Sequence, residues 1–328
     1  PSFQVTPSRG LFYCFGCQTG GDTITFLQLI ENLTFVEAVQ RLADRTGVQL
    51  RIIDDGTPST PPGMRTQILA ANDAAAEFFR RQMLSDEGAI ARDFVTGRGF
   101  TREHAEYFGM GYAPKGGHVL RDHLLAQGFT PQVLVTAGLV RDSGWDFFQG
   151  RVLWPIKDSA ASVLGFGARR VWDDDRMPAK YVNTPETPVY KKSHVLYGLD
   201  LARTNIGKKN QVVVVEGYTD VMAMHVAGID TAVASCGTAF GPEHAHLVQR
   251  LMGNRGALNG EVIFTFDGDA AGRSAALKAY RDDEEFTSQT YVAVEPNGLD
   301  PCDLRMQEGD AAVREPVSYT HLTLPTKA

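Results

Sequence analysis

Two aspartates one residue apart, in the stretch "FTFDGDAAG" (264–272), follow an apolar β-type run and precede glycine and small residues. Carboxylates at that spacing repel each other unless a positive charge lies between them. Three further acids fall at comparable places: Glu216 directly after "VVVV" (212–215), and Asp300 and Asp303 a few residues after "TYVAV" (290–294). Oxygen donors of this kind suit Mg²⁺ or Mn²⁺, held by few carboxylates and completed by water and substrate phosphates. The chemistry that such a cation supports is phosphoryl transfer, in which it clamps attacking and leaving oxygens.

The acids need a common scaffold. From Gln211 onward the chain alternates strand candidates, "VVVV", "TAVAS" (231–235), "VIFTF" (262–266) and "TYVAV", with helical stretches near 219–227, after Pro242 and from Ala270. That alternation predicts βαβ units and a mostly parallel sheet. Ligands of such sheets gather outside the carboxyl ends of the strands, where Glu216, Asp267, Asp269, Asp300 and Asp303 would all lie. Gly217, Gly268 and Gly272 suit tight turns and close approach of backbone to phosphate. A single D-x-D after a strand is as often a helix cap; three strand-end acidic sites in one register are much less often accidental.

The rest of the chain reads as smaller units. A β-type stretch with a C-x-x-C turn, Cys14 and Cys17, leads into one amphipathic helix carrying Phe26, Leu27, Ile30, Leu33, Val36, Val39 and Leu42. "DDGTPSTPPG" (54–63) has almost nothing to bury and reads as a linker. Residues 169–192 hold Arg169, Arg170, Arg176, Lys180, Lys191 and Lys192, interleaved with Trp172, Tyr181 and Tyr190, and Asp173–Asp175 offset part of that charge. Composition alone would leave this a solvated surface. The formal charge of −7 argues against a generally basic coat for nucleic acid. Four cysteines, two of them in C-x-x-C, argue against a secreted disulfide framework. No apolar run is long enough to span a bilayer.

The segments "VVVVEGYTDVMAMHVAGIDTAVASCGTAFGPEHAHL" and "VIFTFDGDAAGRSAALKA" resemble the Toprim domain of bacterial DnaG-type DNA primases, with E-G-Y-x-D, A-S-x-G-T and D-G-D-x-A-G-R in the family's order. Upstream, "RVLWPI", "GFGARRV", "KYVNTPET" and "VLYGL" resemble the basic half of the primase core, and residues 2–43 resemble the second half of its zinc ribbon. The implied fold is α/β: a Toprim-type parallel sheet flanked by helices, preceded by a mixed α+β basic subdomain and a partial zinc ribbon. The implied boundaries are 1–53 for the partial zinc ribbon, 54–63 for the linker, 64–205 for the basic subdomain and 206–315 for the Toprim subdomain. Residues 316–328 break from the family pattern and are expected to be a non-native tail.

The resemblance implies a DNA-directed RNA polymerase that makes short primers on single-stranded DNA from nucleoside triphosphates. Glu216, Asp267 and Asp269 are then the catalytic, metal-binding acids. Arg151, Arg169, Lys180, Asn183 and Lys192 fall on the family's basic motif and are expected to bind nucleotide or DNA. The family's D-P-D is replaced here by "LDPCDL": Asp300 matches its first acid, Cys302 stands at the second, and Asp303 follows one residue later. Cys14 and Cys17 match half of a zinc site whose C-x-x-H pair would precede Pro1, so zinc is expected in the full-length protein and only poorly in this stretch. The resemblance further implies a cytoplasmic monomer acting at the replication fork, with a replicative helicase bound through a C-terminal domain outside this sequence. A Toprim nuclease or topoisomerase-like enzyme, a D-x-D phosphatase and a non-enzymatic strand-binding module are the competing readings.

Overall fold

The computed structural model describes residues 2–16, 19–31, 35–48, 50, 63–175, 177–252, 260–266, 289–295 and 298–318. The chain divides into two compact units, Pro1–Thr66 and Gln67–Ala328.

In the first unit, β1 (Phe3–Thr6), β2 (Leu11–Cys14) and β3 (Thr19–Asp22) form an antiparallel meander in chain order. Gly10 turns β1 into β2 at φ +63°, a left-handed conformation that glycine adopts without steric cost. Phe12 of β2 packs edge-on against Phe26 and stacks beside Phe3, closing the sheet over the first helix. Where the apolar spacing predicts one helix, there are two, α1 (Thr23–Glu31) and α2 (Phe35–Thr46). The sequence carries the reason: Thr34-x-x-Glu37 is a helix-start signature, which the apolar periodicity running through it masks.

The second unit holds two sheets. Helices α3 (Met64–Gln82), α4 (Ala89–Gly97), α5 (Arg102–Tyr107), α6 (Val119–Ala126) and α7 (Pro131–Thr136) accompany an antiparallel sheet of β4 (Gly111–Ala113), β5 (Arg151–Lys157), β6 (Val163–Arg170) and β7 (Tyr181–Asn183), paired in that order. The other sheet runs β12-β11-β9-β10-β8, built from β8 (Leu196–Tyr197), β9 (Gln211–Val215), β10 (Ala232–Ser235), β11 (Glu261–Phe266) and β12 (Gln289–Val294). Its first four strands are mutually parallel, and β8 closes one edge antiparallel. Helices α8 (Leu199–Lys209), α9 (Tyr218–Val226) and α10 (Pro242–Met252) alternate with these strands, and α11 (Pro301–Glu308) and α12 (Asp310–Ser318) follow β12.

Beyond Gln211, central β9 is apolar and buried because both faces are covered, as parallel sheets require. Val212 and Val214 join Leu199, Ile206, Val248, Leu251 and Phe264 in one core under α8 and α10. The four parallel strands coincide with the four apolar runs read from the sequence. The helix expected from Ala270 lies outside the described residues.

Candidate active site at the carboxyl edge of the parallel sheet

Because β9, β10, β11 and β12 run the same way, their carboxyl ends share one edge. Glu216 is the first residue past β9 and its side chain is exposed there, on the bend that leads into α9. Phe264 of β11 is paired with Val214, which sets Phe266, the last residue of β11, level with Glu216. Asp267 and Asp269 come next in the chain and lie outside the described residues. Asp220, the remaining acid of E-G-Y-T-D, is buried, and its carboxylate accepts the Gly217 N–H at 2.9 Å. It shapes the start of α9 rather than facing solvent.

The second acidic pair opens α11. Asp300 is the N-cap: its carboxylate accepts the Asp303 N–H at 2.6 Å, with Pro301 at the first helical position. Cys302 points inward and is 1% exposed, and burial pushes its thiol up to about 12. The residue that replaces the family's second aspartate is therefore part of the core, and the carboxylate reaching the surface is that of Asp303. It pairs with Arg98, the residue capping α4, at 2.8 Å. Burial works against the Arg98 charge, yet Cys302, Asp303 and Asp300 around it hold its pKa above the ordinary guanidinium range. Sequence reasoning missed Arg98, whose partner is 205 positions away.

On the basic side, the five expected residues separate by burial. Lys180 is exposed, its Nζ 5.8 Å from the Tyr181 ring. Arg169 is half-buried, with its guanidinium 4.4 Å from the Phe94 ring centre. Lys192 is half-buried and held by its backbone, the N–H donating to Glu186 at 3.0 Å and the carbonyl contacted by His244 Nε2 at 3.0 Å. Asn183, at the end of β7, accepts a hydrogen bond from the Tyr218 hydroxyl at 2.7 Å. Arg151 departs from expectation. It is wholly buried, with Nε 2.7 Å from Asp175 and Nη2 donating to the Met177 and Ala179 carbonyls at 2.9 and 3.0 Å. A guanidinium committed in this way braces Asp175, Met177 and Ala179, just ahead of Lys180. Asp174 likewise pairs with Lys115 at 2.8 Å, so two of the three acids at 173–175 are held by basic side chains.

Hard oxygen donors at a strand end fit a divalent cation, and the exposed Glu216 supplies one. Among the described residues no three His, Cys, Asp or Glu side chains cluster into a cation site. Asp267 and Asp269, expected from the sequence to complete such a set, lie outside the described residues. In the first unit, Cys14 is half-buried, forms no disulfide with a described residue and is paired in register with Phe3 and Thr19; Cys17 lies outside the described residues.

The chain is similar to known proteins. Residues 78–203 match the family described as the N-terminal domain of the DNA primase catalytic core, 210–294 match the Toprim domain, and 1–57 match the CHC2 zinc finger. The DNA primase of Mycobacterium tuberculosis is 53% identical over 322 residues, covering 97% of this chain and 50% of that protein. The crystal structure of the RNA polymerase domain of the M. tuberculosis primase is 55% identical, with a TM-score of 0.75, over 78% of this chain and 84% of that one. A DnaG primase catalytic domain bound to ssDNA is 33% identical, with a TM-score of 0.68, over 78% and 79% of the two chains. The parallel sheet and these matches thus define a primase-type Toprim core. The chain belongs to the DnaG-type DNA primase family. It spans about half the length of the curated relatives it matches. The Toprim and zinc-finger matches bring a divalent cation and zinc with them as metals of the family. Among the described residues no helix is long and apolar enough to cross a membrane.

Proposed function

We propose that this chain carries the catalytic core of a primase, joining ribonucleotides on a single-stranded DNA template. The observation that carries the reading is the exposed Glu216 carboxylate at the end of β9, level with the end of β11 that leads into Asp267 and Asp269. In this reading those three acids hold Mg²⁺ or Mn²⁺, with Asp300 and Asp303 flanking them. The cation, when bound, neutralises charge on the reacting phosphate oxygens. Lys180, Lys192 and Arg169 offer positive charge to the triphosphate and the template backbone, and Asn183 offers a hydrogen bond. Arg151 contributes through the loop it braces. Cys14 and Cys17 supply part of a zinc site.

DNA in the structures of relatives supports template binding; nucleoside triphosphates and a replicative helicase complete the proposed set of partners. The proposed setting is the cytoplasm, at the replication fork, with the chain acting as a monomer. The test is ribonucleotide incorporation on single-stranded DNA with Mg²⁺ or Mn²⁺, using the chain alone and grafted in place of the matching half of the M. tuberculosis primase. Template-dependent oligoribonucleotides are the expected product. Strand cleavage or phosphate release without them would move the assignment to a Toprim nuclease or a phosphatase.

A further inference from the structure

Tyr218 opens α9, and Asn183 ends β7 in the other sheet of the same unit; they meet at one hydrogen bond of 2.7 Å. The tyrosine ring has a single place to be. It stacks on Trp154 at 5.1 Å and 10°, meets Tyr197 edge-on at 4.8 Å, and the residue is 6% exposed. Residue 167 has to be glycine for this, since a Cβ there would stand 2.1 Å from the Tyr218 Cζ.

An amide side chain has an accepting end and a donating end. With the accepting Oδ1 taken by the tyrosine hydroxyl, the donating Nδ2 faces Gly237, where a Cβ would lie 2.6 Å away. Gly237 stands at φ +71° just past β10, on the same sheet edge as Glu216. The Asn183 donor is thereby delivered to the edge that carries the candidate catalytic acids. A rotated amide would present its oxygen there instead and repel phosphate.

We propose that Tyr218 is a positioning residue. Its hydroxyl fixes the Asn183 amide with the N–H end toward the carboxyl edge, where it binds an acceptor oxygen of the incoming nucleotide. The inference rests on the reading of this edge as a nucleotide site. Tyr218→Phe keeps the stacked ring and removes only the hydroxyl, and Asn183→Ala removes the amide from the other side. Each single variant should raise the KM for ATP and its dissociation constant in the presence of Mg²⁺ by about tenfold, the worth of one hydrogen bond to a charged group. The kcat should change far less, and the double variant should bind no worse than Asn183→Ala alone. Unchanged KM and affinity in Tyr218→Phe, or a double variant with the multiplied effect of the two singles, would overturn the proposal, as would a wild-type chain that binds no ATP. A wild-type chain that binds ATP yet makes no RNA would overturn the primase reading alone, and the dissociation constants would still decide the role of Tyr218.

Discussion

The Arg98 guanidinium lies 2.8 Å from the Asp303 carboxylate, joining the end of α4 to the first turn of α11 across 205 positions of sequence. The pair is partly exposed on both sides, 23% and 45%, so its contribution to stability is about 1 kcal/mol or less. Its larger effect is electrostatic, because the arginine occupies the charge that a cation beside Asp300 and Asp303 would otherwise neutralise. Arg98→Met should therefore leave the melting temperature without Mg²⁺ nearly unchanged and enlarge the upward shift that Mg²⁺ produces. Thermal melts across a Mg²⁺ series read both. An unchanged Mg²⁺ response would remove Asp303 from the cation site.

Arg151 carries a different prediction, since its charge is fully buried and Asp175 beside it is only 8% exposed. Arg151→Ala strands that carboxylate and two carbonyls, at a cost of about 3–5 kcal/mol. Arg151→Lys restores the charge but not the fork that serves three acceptors, and should recover only part of the loss. Urea unfolding measures both; a loss no larger than that of a surface pair would contradict the bracing role.

Lys180 should behave in the opposite way. Among the described residues its exposed side chain makes no hydrogen bond or ion pair, and its Nζ lies 5.8 Å from the Tyr181 ring. Lys180→Ala is expected to abolish primer synthesis and leave the circular dichroism spectrum and melting temperature of the wild type. Activity like that of the wild type would remove it from the site.

His244 makes stability depend on pH. It is 1% exposed, its Nδ1 accepts the Gly241 N–H at 3.2 Å, and its Nε2 reaches the Lys192 carbonyl at 3.0 Å. Burial pushes its pKa below 6.5, and the carbonyls of Lys192 and Val195 do not fully offset that. The unfolded chain then binds the proton first as pH falls, so stability declines below about pH 6.5. Asp146 works against this trend, since burial raises its carboxyl to about 6 and its protonation in the fold favours the native state at lower pH. Comparing unfolding free energies of wild type and His244→Gln between neutral pH and pH 5 isolates the histidine: the wild type should lose more. Parallel pH profiles would contradict the assignment.

The parallel sheet was legible because its strands are short apolar runs separated by turn residues, and a fully buried strand needs no alternation. The place of Glu216 followed from its position directly after such a run. The helix break between α1 and α2 was available in Thr34-x-x-Glu37 but hidden under continuous apolar spacing. At Asp300-Pro301-Cys302-Asp303, the N-cap pattern was readable locally, whereas the inward direction of Cys302 depends on what α11 packs against. The burial of Arg151, the Arg98–Asp303 pair and the Tyr218–Asn183 bond were beyond reach for one reason. Each joins residues far apart in sequence, and no local spacing encodes such a partner.

The proposed role of Glu216 is that of a catalytic acid in template-directed RNA synthesis. The most direct measurement is incorporation of labelled ribonucleotides on single-stranded DNA with Mg²⁺, wild type beside Glu216→Gln, in the chain grafted into the M. tuberculosis primase. Because Glu216 is exposed and its replacement is nearly isosteric, the variant should fold and bind DNA as the wild type does. The wild type should yield template-dependent oligoribonucleotides, and the variant at least about a hundredfold less. Equal synthesis by the two proteins would contradict that role.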